Sequence, residues 1–294
     1  MNGRGDRARH VGRLADVDLS AVQPLVRRAD LSRGIFDLAV ELAEGIPTWS
    51  ESGDPPFLRW MTMTPAAGRV DQPQEGWARA GRAYLSDCFT MPTHAGTHID
   101  CLNHVGRDGR FWGGVEIDDV LGSREVAQLG AQHLPPLVMR GVLVDLAPGG
   151  TLERTRGVGP EELETGLARA GVGIEAGDVV LLRTGWMRNW RQPFYLGAQP
   201  GLTRAGAEWL AERGAAAIGA DNAALELQPS PEPDDAVPVH TFLLYERGIP
   251  IIENLALDEL SEAGVHEFLF VALPLKLRGA TAAPLRPIAI ALER

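Results

Sequence analysis

The stretch His94-Ala-Gly-Thr-His98-Ile-Asp100-Cys-Leu-Asn-His104 places three imidazoles and one carboxylate within eleven residues. The whole chain has only seven histidines in 294 residues, so a chance grouping of three at spacings of four and six is improbable. Imidazole and carboxylate groups together are typical ligands of zinc, manganese or iron. The stretch therefore predicts a metal-dependent enzyme.

The backbone around this stretch favours an extended or turning conformation. Gly96 and the β-branched Thr97 make a regular helix over residues 94–98 unfavourable, which argues against the helical two-histidine zinc motif of metalloproteases. In an extended chain, His98 and Asp100 are two residues apart and project to the same side. Gly96 adopts backbone conformations that other residues avoid, so His94 can return to the same ion. We expect an open coordination position for water, since no thiolate cage is present.

Two simpler interpretations compete with a catalytic metal site. Each histidine taken singly is typical of a satisfied core or surface group, and Asp100 taken singly of a turn residue, but the four together favour a metal site. A closed structural metal site is the second alternative, and such sites are usually rich in cysteine. This chain has only Cys88 and Cys101, which lack the Cys-x-x-Cys spacing.

The pattern H-x-G-T-H-x-D-x-x-x-H resembles the signature of the cyclase-type metal-dependent hydrolases, a family that includes kynurenine formamidase, isatin hydrolase and trans-dienelactone hydrolase. The resemblance covers roughly residues 35 to 292. Further matching segments are Phe36-Asp-Leu-Ala-Val-Glu-Leu42, Gly45-Ile-Pro47-Thr-Trp49, Gly219-Ala-Asp221, His240 and Gly248-Ile-Pro-Ile-Ile-Glu253-Asn254-Leu255.

The resemblance implies a metal site made of two distant parts. His94, His98 and Asp100 would bind a first divalent ion, zinc or manganese, with Asp100 able to bridge to a second ion. His240 and Glu253 would complete a two-metal site where one is formed, and would otherwise orient the ligands or the substrate. Both lie well over one hundred residues beyond the first motif, so the chain must fold back to bring the two parts together.

Three further residues take their interpretation from the resemblance. His104 would be the general acid/base that passes a proton to the leaving nitrogen or oxygen. Trp49 matches a substrate loop of the family, and its ring suits a flat or apolar substrate. Leu102 stands where formamidase-like members usually carry proline, so the chain looks more like a longer branch of the family, and the formamidase substrate is not implied.

The predicted reaction is metal-assisted hydrolysis of an amide or lactone in a small cyclic or aryl compound. A bound ion lowers the pKa of its water from about 15.7 to near 7 and polarises the carbonyl. A metal-dependent cyclase or dehydratase is an alternative that would use the same ion without water as the nucleophile. A non-catalytic small-molecule binding protein on the same scaffold is a second alternative, against which His104 argues.

Composition excludes several other classes of function. The net charge of -11 and the pI near 5.1 disfavour binding to nucleic acid, whose phosphates require clustered positive charge. The apolar run Phe268-Leu-Phe-Val-Ala-Leu273 is too short to span a bilayer, and no apolar signal core is present near the N-terminus. Two cysteines fit a reducing compartment. We expect a cytoplasmic enzyme, and the resemblance implies a homodimer or homotetramer.

The order of predicted elements indicates an α/β fold. Short apolar runs bounded by turn residues predict strands at Val142-Leu-Val-Asp-Leu146, Asp178-Val-Val-Leu-Leu182, Ala215-Ala-Ala-Ile-Gly219 and Pro287-Ile-Ala-Ile-Ala-Leu-Glu293. Helices are predicted over 160–170, over 203–213 with Thr203 as the N-cap, and over 238–247 before Gly248. The family resemblance further implies a swivelling β/β/α domain with a mixed sheet.

The chain is predicted to divide at residue 35. Residues 1–34 interleave arginine with aspartate and are interpreted as an extension that is mobile or that packs on a partner subunit. Residues 35–294 are interpreted as one catalytic domain.

Overall fold

The computed structural model describes residues 10–64 and 84–293, and within these ranges nine strands form one mixed sheet. In chain order the strands are β1 Ile35–Asp37, β2 Leu58–Met63, β3 Ser86–Thr90, β4 His98–Asp100, β5 Arg110–Phe111, β6 Val115–Glu116, β7 Leu137–Asp145, β8 Gly157–Val158, β9 Val179–Arg183, β10 Gly201–Leu202, β11 Ala217–Ala220, β12 Ile251–Glu253, β13 Glu267–Ala272, β14 Ala282–Pro284 and β15 Ile288–Ala291.

The large sheet has the strand order β1-β15-β13-β7-β9-β11-β12-β4-β14. Strands β7, β9, β11 and β12 run parallel, whereas the strands on either side of them pair antiparallel. Three short pairs lie apart from it: β2 with β3 and β5 with β6 are antiparallel, and β8 with β10 is parallel. The predicted α/β class with a mixed sheet is confirmed.

The described helices are short. They are α1 Val22–Arg28, α2 Ile117–Val120, α3 Pro160–Ala170, α4 Arg204–Glu212, α5 Pro238–His240 and α6 Asp258–Glu262, and α5 continues as a π-helix over Thr241–Arg247. Single 3-10 turns occupy Gly12–Asp16, Leu19–Ala21, Leu31–Arg33, Ser50–Ser52, Trp112–Gly114, Ala131–His133 and Trp186–Asn189. None of the helices in the described ranges has the length and apolarity needed to cross a membrane.

The core lies on both faces of the parallel strands. Every residue of β9 and of β11 is buried, as expected for parallel strands that are covered on two sides. Successive side chains point to opposite faces, so Val180 packs in the cluster beneath α3 and α4 while Leu181 packs in the cluster on the other face. Three of the four predicted strands therefore form the centre of the sheet as β7, β9 and β11, and the fourth corresponds to β15, next to the edge strand β1.

Local signals explain where the predicted helices begin and end. Helix α3 starts at Pro160 and ends before Gly171, whose φ of 68° is the left-handed conformation that glycine tolerates. Helix α4 begins after Thr203, whose hydroxyl accepts a hydrogen bond from the Gly206 amide. The third predicted helix begins at Pro238 and stops at Gly248, but after His240 its turns widen to the i→i+5 hydrogen bonding of a π-helix. An apolar pattern predicts such a segment without fixing its hydrogen-bond pattern.

Residues 10–34 pack against the chain's own sheet. Val11 and Leu14 are buried in the core, and Leu25 of α1 packs with Leu269 of β13. The Arg13 amide donates a 2.8 Å hydrogen bond to the carbonyl of Gly248, at the end of the π-helix. Residues 1–9 of the predicted extension lie outside the described ranges, and the division at residue 35 stays a prediction.

Candidate metal centre

The strand β4 carries His98 and Asp100 into the interior between β12 and β14. Both side chains are fully buried, and His98 Nε2 lies 3.4 Å from Asp100 Oδ1. They share a face because side chains two residues apart in a strand project to the same side. The extended conformation expected from the sequence thus places both groups at one point.

The pairing of β4 with β12 brings the distant half of the sequence to this point. Glu253 is the register partner of His98, and its Oε2 lies 3.4 Å from His98 Nε2. His240, in α5, places its Nε2 3.2 Å from Glu253 Oε1 and 3.6 Å from Asp100 Oδ2. The chain therefore folds back and joins the two sequence motifs in one buried cluster.

The turn before β4 returns His94 to the same cluster. Gly96 has a φ of 65°, a backbone conformation that favours glycine, and a Cβ there would also displace the Leu42 side chain, whose Cδ2 would lie 2.4 Å away. His94 Nδ1 lies 2.8 Å from Asp100 Oδ1. The half-buried ring of His104 is centred 4.1 Å from the ring of His94. Ligand atoms of His94, Asp100 and His104 all lie within 4.8 Å of one another.

Several atoms at the centre of the cluster are buried without a hydrogen bond. These are His98 Nε2, both carboxylate oxygens of Asp100 and Glu253 Oε1. The 2.8 Å approach of His94 to Asp100 is too poorly directed to count as a hydrogen bond. Ion–ligand distances of about 2.0–2.2 Å separate the ligands of a tetrahedral site by about 3.3–3.6 Å. The spacings of 3.2–3.6 Å around His98, His240 and the two carboxylates match that arrangement.

The charge of the cluster also fits a cation. The ion pairs that Asp100, Glu226 and Glu253 form within the described ranges are all with histidines. Burial by itself would lower the pKa of His98, but the Asp100 and Glu253 carboxylates outweigh it and raise that pKa to about 10. Three buried carboxylates require positive charge nearby. A divalent ion supplies two positive charges without protonation of the histidines.

His104 differs from the other histidines in its electrostatics. Burial lowers the pKa of His104 to about 4, against the opposing influence of Asp100. Burial would also raise the pKa of Asp100, but His104 and His94 together hold it well below the ordinary value. The cluster thus combines ionised carboxylates with a neutral imidazole at its edge.

Three of the four histidines in the cluster have their outer ring nitrogen held by a second group. His94 Nε2 is 3.0 Å from the hydroxyl of Thr281, His98 Nδ1 donates to the Gly96 carbonyl at 2.9 Å, and His240 Nδ1 contacts Glu226 Oε1. The opposite nitrogen of each ring faces the cluster. Neither Thr281 nor Glu226 lies in a sequence motif, so only long-range contacts identify them.

Asn254 contacts the same Gly96 carbonyl that holds the His98 ring. It has a φ of 56°, which is rare for a residue other than glycine. Its amide nitrogen donates to the Gly96 carbonyl at 3.1 Å, and its Oδ1 accepts a 2.9 Å hydrogen bond from the buried Tyr195 hydroxyl. The carbonyl that holds His98 is therefore itself held in place.

Trp49 lies in an apolar group outside the cluster. It packs with Trp186 and Tyr195 in a small apolar group. It also lines a surface cavity of about 370 Å³, together with Arg154 and Phe194. Tyr195 connects this region to Asn254, but the predicted contact between Trp49 and a substrate stays a prediction.

The chain is similar to known proteins in sequence. The family model described as "Putative cyclase" matches residues 36–227, and the match ends before His240 and Glu253. A kynurenine formamidase of Delftia acidovorans is 28% identical over 205 residues, which cover 69% of this chain and 79% of that protein. Cyclase-like protein 3 of Oryza sativa is 26% identical over 274 residues, covering 92% and 86%.

Solved structures share the whole fold. A crystal structure described as a novel cyclase superposes with a TM-score of 0.84 at 27% identity, covering 97% of each chain. Isatin hydrolase A from Labrenzia aggregata superposes with a TM-score of 0.68 at 21% identity, covering 92% of this chain and 99% of that one. At that lower identity the likeness shows the fold alone.

Proposed function

This chain belongs to the cyclase family, and from that premise we propose that it is a metal-dependent hydrolase that cleaves an amide or lactone bond in a small cyclic or aryl compound. The relatives named kynurenine formamidase support an amide-cleaving hydrolase. The alternative of a non-catalytic binding protein is less favoured, because His104 is present beside the cluster.

One observation carries the proposal. His98 Nε2, both oxygens of Asp100 and Glu253 Oε1 are buried, face one another and lack hydrogen bonds. Leaving buried polar atoms unsatisfied costs about 1–3 kcal/mol each, more for charged groups, so such a set is retained only where something satisfies it. A divalent ion, zinc or manganese, fits these nitrogen and oxygen donors.

Asp100 and Glu253 each direct their two oxygens at different histidines. Asp100 turns Oδ1 toward His94 and His98 and Oδ2 toward His240. Glu253 turns Oε2 toward His98 and Oε1 toward His240. Since each carboxylate faces histidines on both sides, Asp100 and Glu253 would both be able to contribute oxygen ligands if two ions were bound.

Different residues would bind the ion and transfer the proton during hydrolysis. His94, His98 and Asp100 would hold a divalent ion, with His240 and Glu253 completing the set. When bound, the ion supplies Lewis-acid polarisation of the scissile carbonyl and lowers the pKa of water toward neutrality. His104, half-buried and beside His94, would take the proton from that water and pass it to the leaving nitrogen or oxygen.

A cyclase or dehydratase reaction is the second candidate. The family's name and the rice relative named Cyclase-like protein 3 favour it. It would use the same residues to polarise a carbonyl without adding water. The mass of the product separates the two reactions, because only hydrolysis adds the mass of water.

The proposal also covers the cellular compartment and the oligomeric state of the enzyme. Cys88 and Cys101 are free thiols, which supports a reducing compartment such as the cytoplasm. We propose a homodimer or homotetramer that acts on a small-molecule substrate, and light scattering of the purified protein would test the assembly.

Removal of metal tests the central claim. The purified protein would be treated with a chelator, assayed against small formanilides, lactams and lactones, and then given Zn²⁺ or Mn²⁺. Turnover is expected to disappear on chelation and to return with one of the ions. Full turnover by thoroughly demetallated protein would overturn the proposed function.

A further inference from the structure

Glu226 is a buried carboxylate beside the cluster that no sequence motif contains. Its side chain is almost inaccessible to solvent, and it lies in the loop between β11 and α5. Its Oε1 contacts His240 Nδ1 and accepts from the His240 amide at 3.2 Å, and its Oε2 accepts from the Val239 amide at 3.1 Å. Each described hydrogen bond to this carboxylate thus comes from Val239 or His240.

We infer that Glu226 is a positioning residue that holds the His240 ring with Nε2 directed at Asp100 and Glu253. This inference rests on the proposed function. A neutral imidazole carries one N–H, and the group that accepts it determines which nitrogen keeps its lone pair. With Glu226 as the acceptor at Nδ1, a neutral His240 would carry its lone pair on Nε2, which faces Glu253 Oε1 at 3.2 Å and Asp100 Oδ2 at 3.6 Å.

Glu226 also differs from the groups that hold the other two rings. The His94 ring is held by the hydroxyl of Thr281 and the His98 ring by a backbone carbonyl, and both of these acceptors are neutral. A carboxylate acceptor makes the opposite nitrogen a stronger donor to a metal ion. Of these three rings, only that of His240 has a carboxylate partner. Loss of Glu226 should therefore weaken ion binding through His240.

A purely structural role is the competing explanation. The two backbone amides that Glu226 accepts belong to the first turn of α5, where an acceptor side chain caps the helix. Capping would stabilise the helix whether or not His240 binds an ion. The two roles differ in whether the effect of Glu226 depends on the His240 side chain.

A double-mutant cycle separates these roles. The metal-free full-length protein would be titrated with Zn²⁺ by calorimetry in four forms: wild type, Glu226→Gln, His240→Ala and the double variant. Glu226→Gln is expected to weaken the zinc affinity of the wild type by about 10–100-fold. In the His240→Ala background the same change should have no further effect, because the ring through which Glu226 acts is gone.

A matched control is available at another helix. Glu162 accepts from the Gly159 amide at 2.9 Å at the start of α3, outside the metal cluster. Glu162→Gln removes the charge of a capping carboxylate that is half-buried and pairs with Arg156, and it should leave zinc affinity unchanged.

The outcomes are distinct. Equal losses of affinity from Glu226→Gln in both backgrounds, or no loss in either, would overturn the inference and leave the proposed function standing. Absence of zinc and manganese binding by the wild type would overturn the proposed function instead. If Glu226→Gln fails to fold, nitrogen-15 spectra of the zinc-loaded wild type give the answer, since the inference requires a proton on His240 Nδ1 and none on Nε2.

Discussion

Glu253 lies directly opposite His98 in adjacent antiparallel strands, with Glu253 Oε2 3.4 Å from His98 Nε2. A slip of one residue in this register would turn Glu253 to the other face of the sheet. The pairing of β12 with β4 therefore builds the site as well as the sheet.

Replacing Glu253 tests whether this pairing serves metal binding. Glu253→Gln keeps the shape of the side chain but removes a charge that faces both His98 and His240. We expect zinc affinity, measured by calorimetry on metal-free protein, to fall by at least tenfold while the circular dichroism spectrum is retained. Glu259→Gln, an exposed position in α6, serves as the control, and equal affinities for both variants would contradict the assignment of Glu253.

The roles of Asp100 and His104 should separate in metal content and rate. His104→Ala is expected to retain its metal while turnover falls by about 10²–10⁴-fold, the usual contribution of a general acid/base. Asp100→Ala should lose both, because both of its oxygens face the cluster. Elemental analysis beside rate measurements checks this, and loss of metal from His104→Ala would make His104 a ligand.

Two substitutions of Asn254 separate backbone strain from side-chain contacts. Asn254→Gly and Asn254→Ala both remove the hydrogen bonds to Tyr195 and to the Gly96 carbonyl, but only glycine accepts the φ of 56° without cost. Asn254→Ala is therefore expected to be less stable than Asn254→Gly by about 1 kcal/mol. Urea unfolding in the presence of chelator measures the difference. Equal stabilities would show that the backbone relaxes there.

Titration of Asp178 should contribute to the pH dependence of the free energy of unfolding. Burial raises its pKa to about 6, although the Glu175 amide and Arg140 oppose the rise. Because the folded carboxyl binds its proton more tightly than the unfolded one, it adds stability as pH falls through 6. From pH 7 to pH 5 the wild type should gain about 1.4 kcal/mol relative to Asp178→Asn. Urea unfolding of both proteins at both pH values checks this, and a constant difference between them would refute it.

Local sequence was enough to predict several parts of the molecule. The two-residue spacing of His98 and Asp100 requires a shared face in any extended chain, and Gly96 marks the turn that returns His94. Pro160 marks the start of a helix because proline lacks the N–H group that would have no partner in the first turn. Thr203 marks another because its hydroxyl accepts a hydrogen bond from a first-turn amide. The apolar runs of β7, β9 and β11 likewise indicate buried strands, whereas their parallel pairing is known only from the sheet.

Other features depend on contacts between residues far apart in the chain. No spacing rule connects Glu226 with His240, Thr281 with His94, or Asn254 with the Gly96 carbonyl. These contacts exist because nine strands in the described ranges share one sheet, whose strand order and register bring distant segments of the chain together. Sequence therefore identified the groups able to hold an ion, since their chemistry and short spacings are local. The arrangement of those groups around a common point, and the side chains that hold them there, came from the packing of the whole sheet.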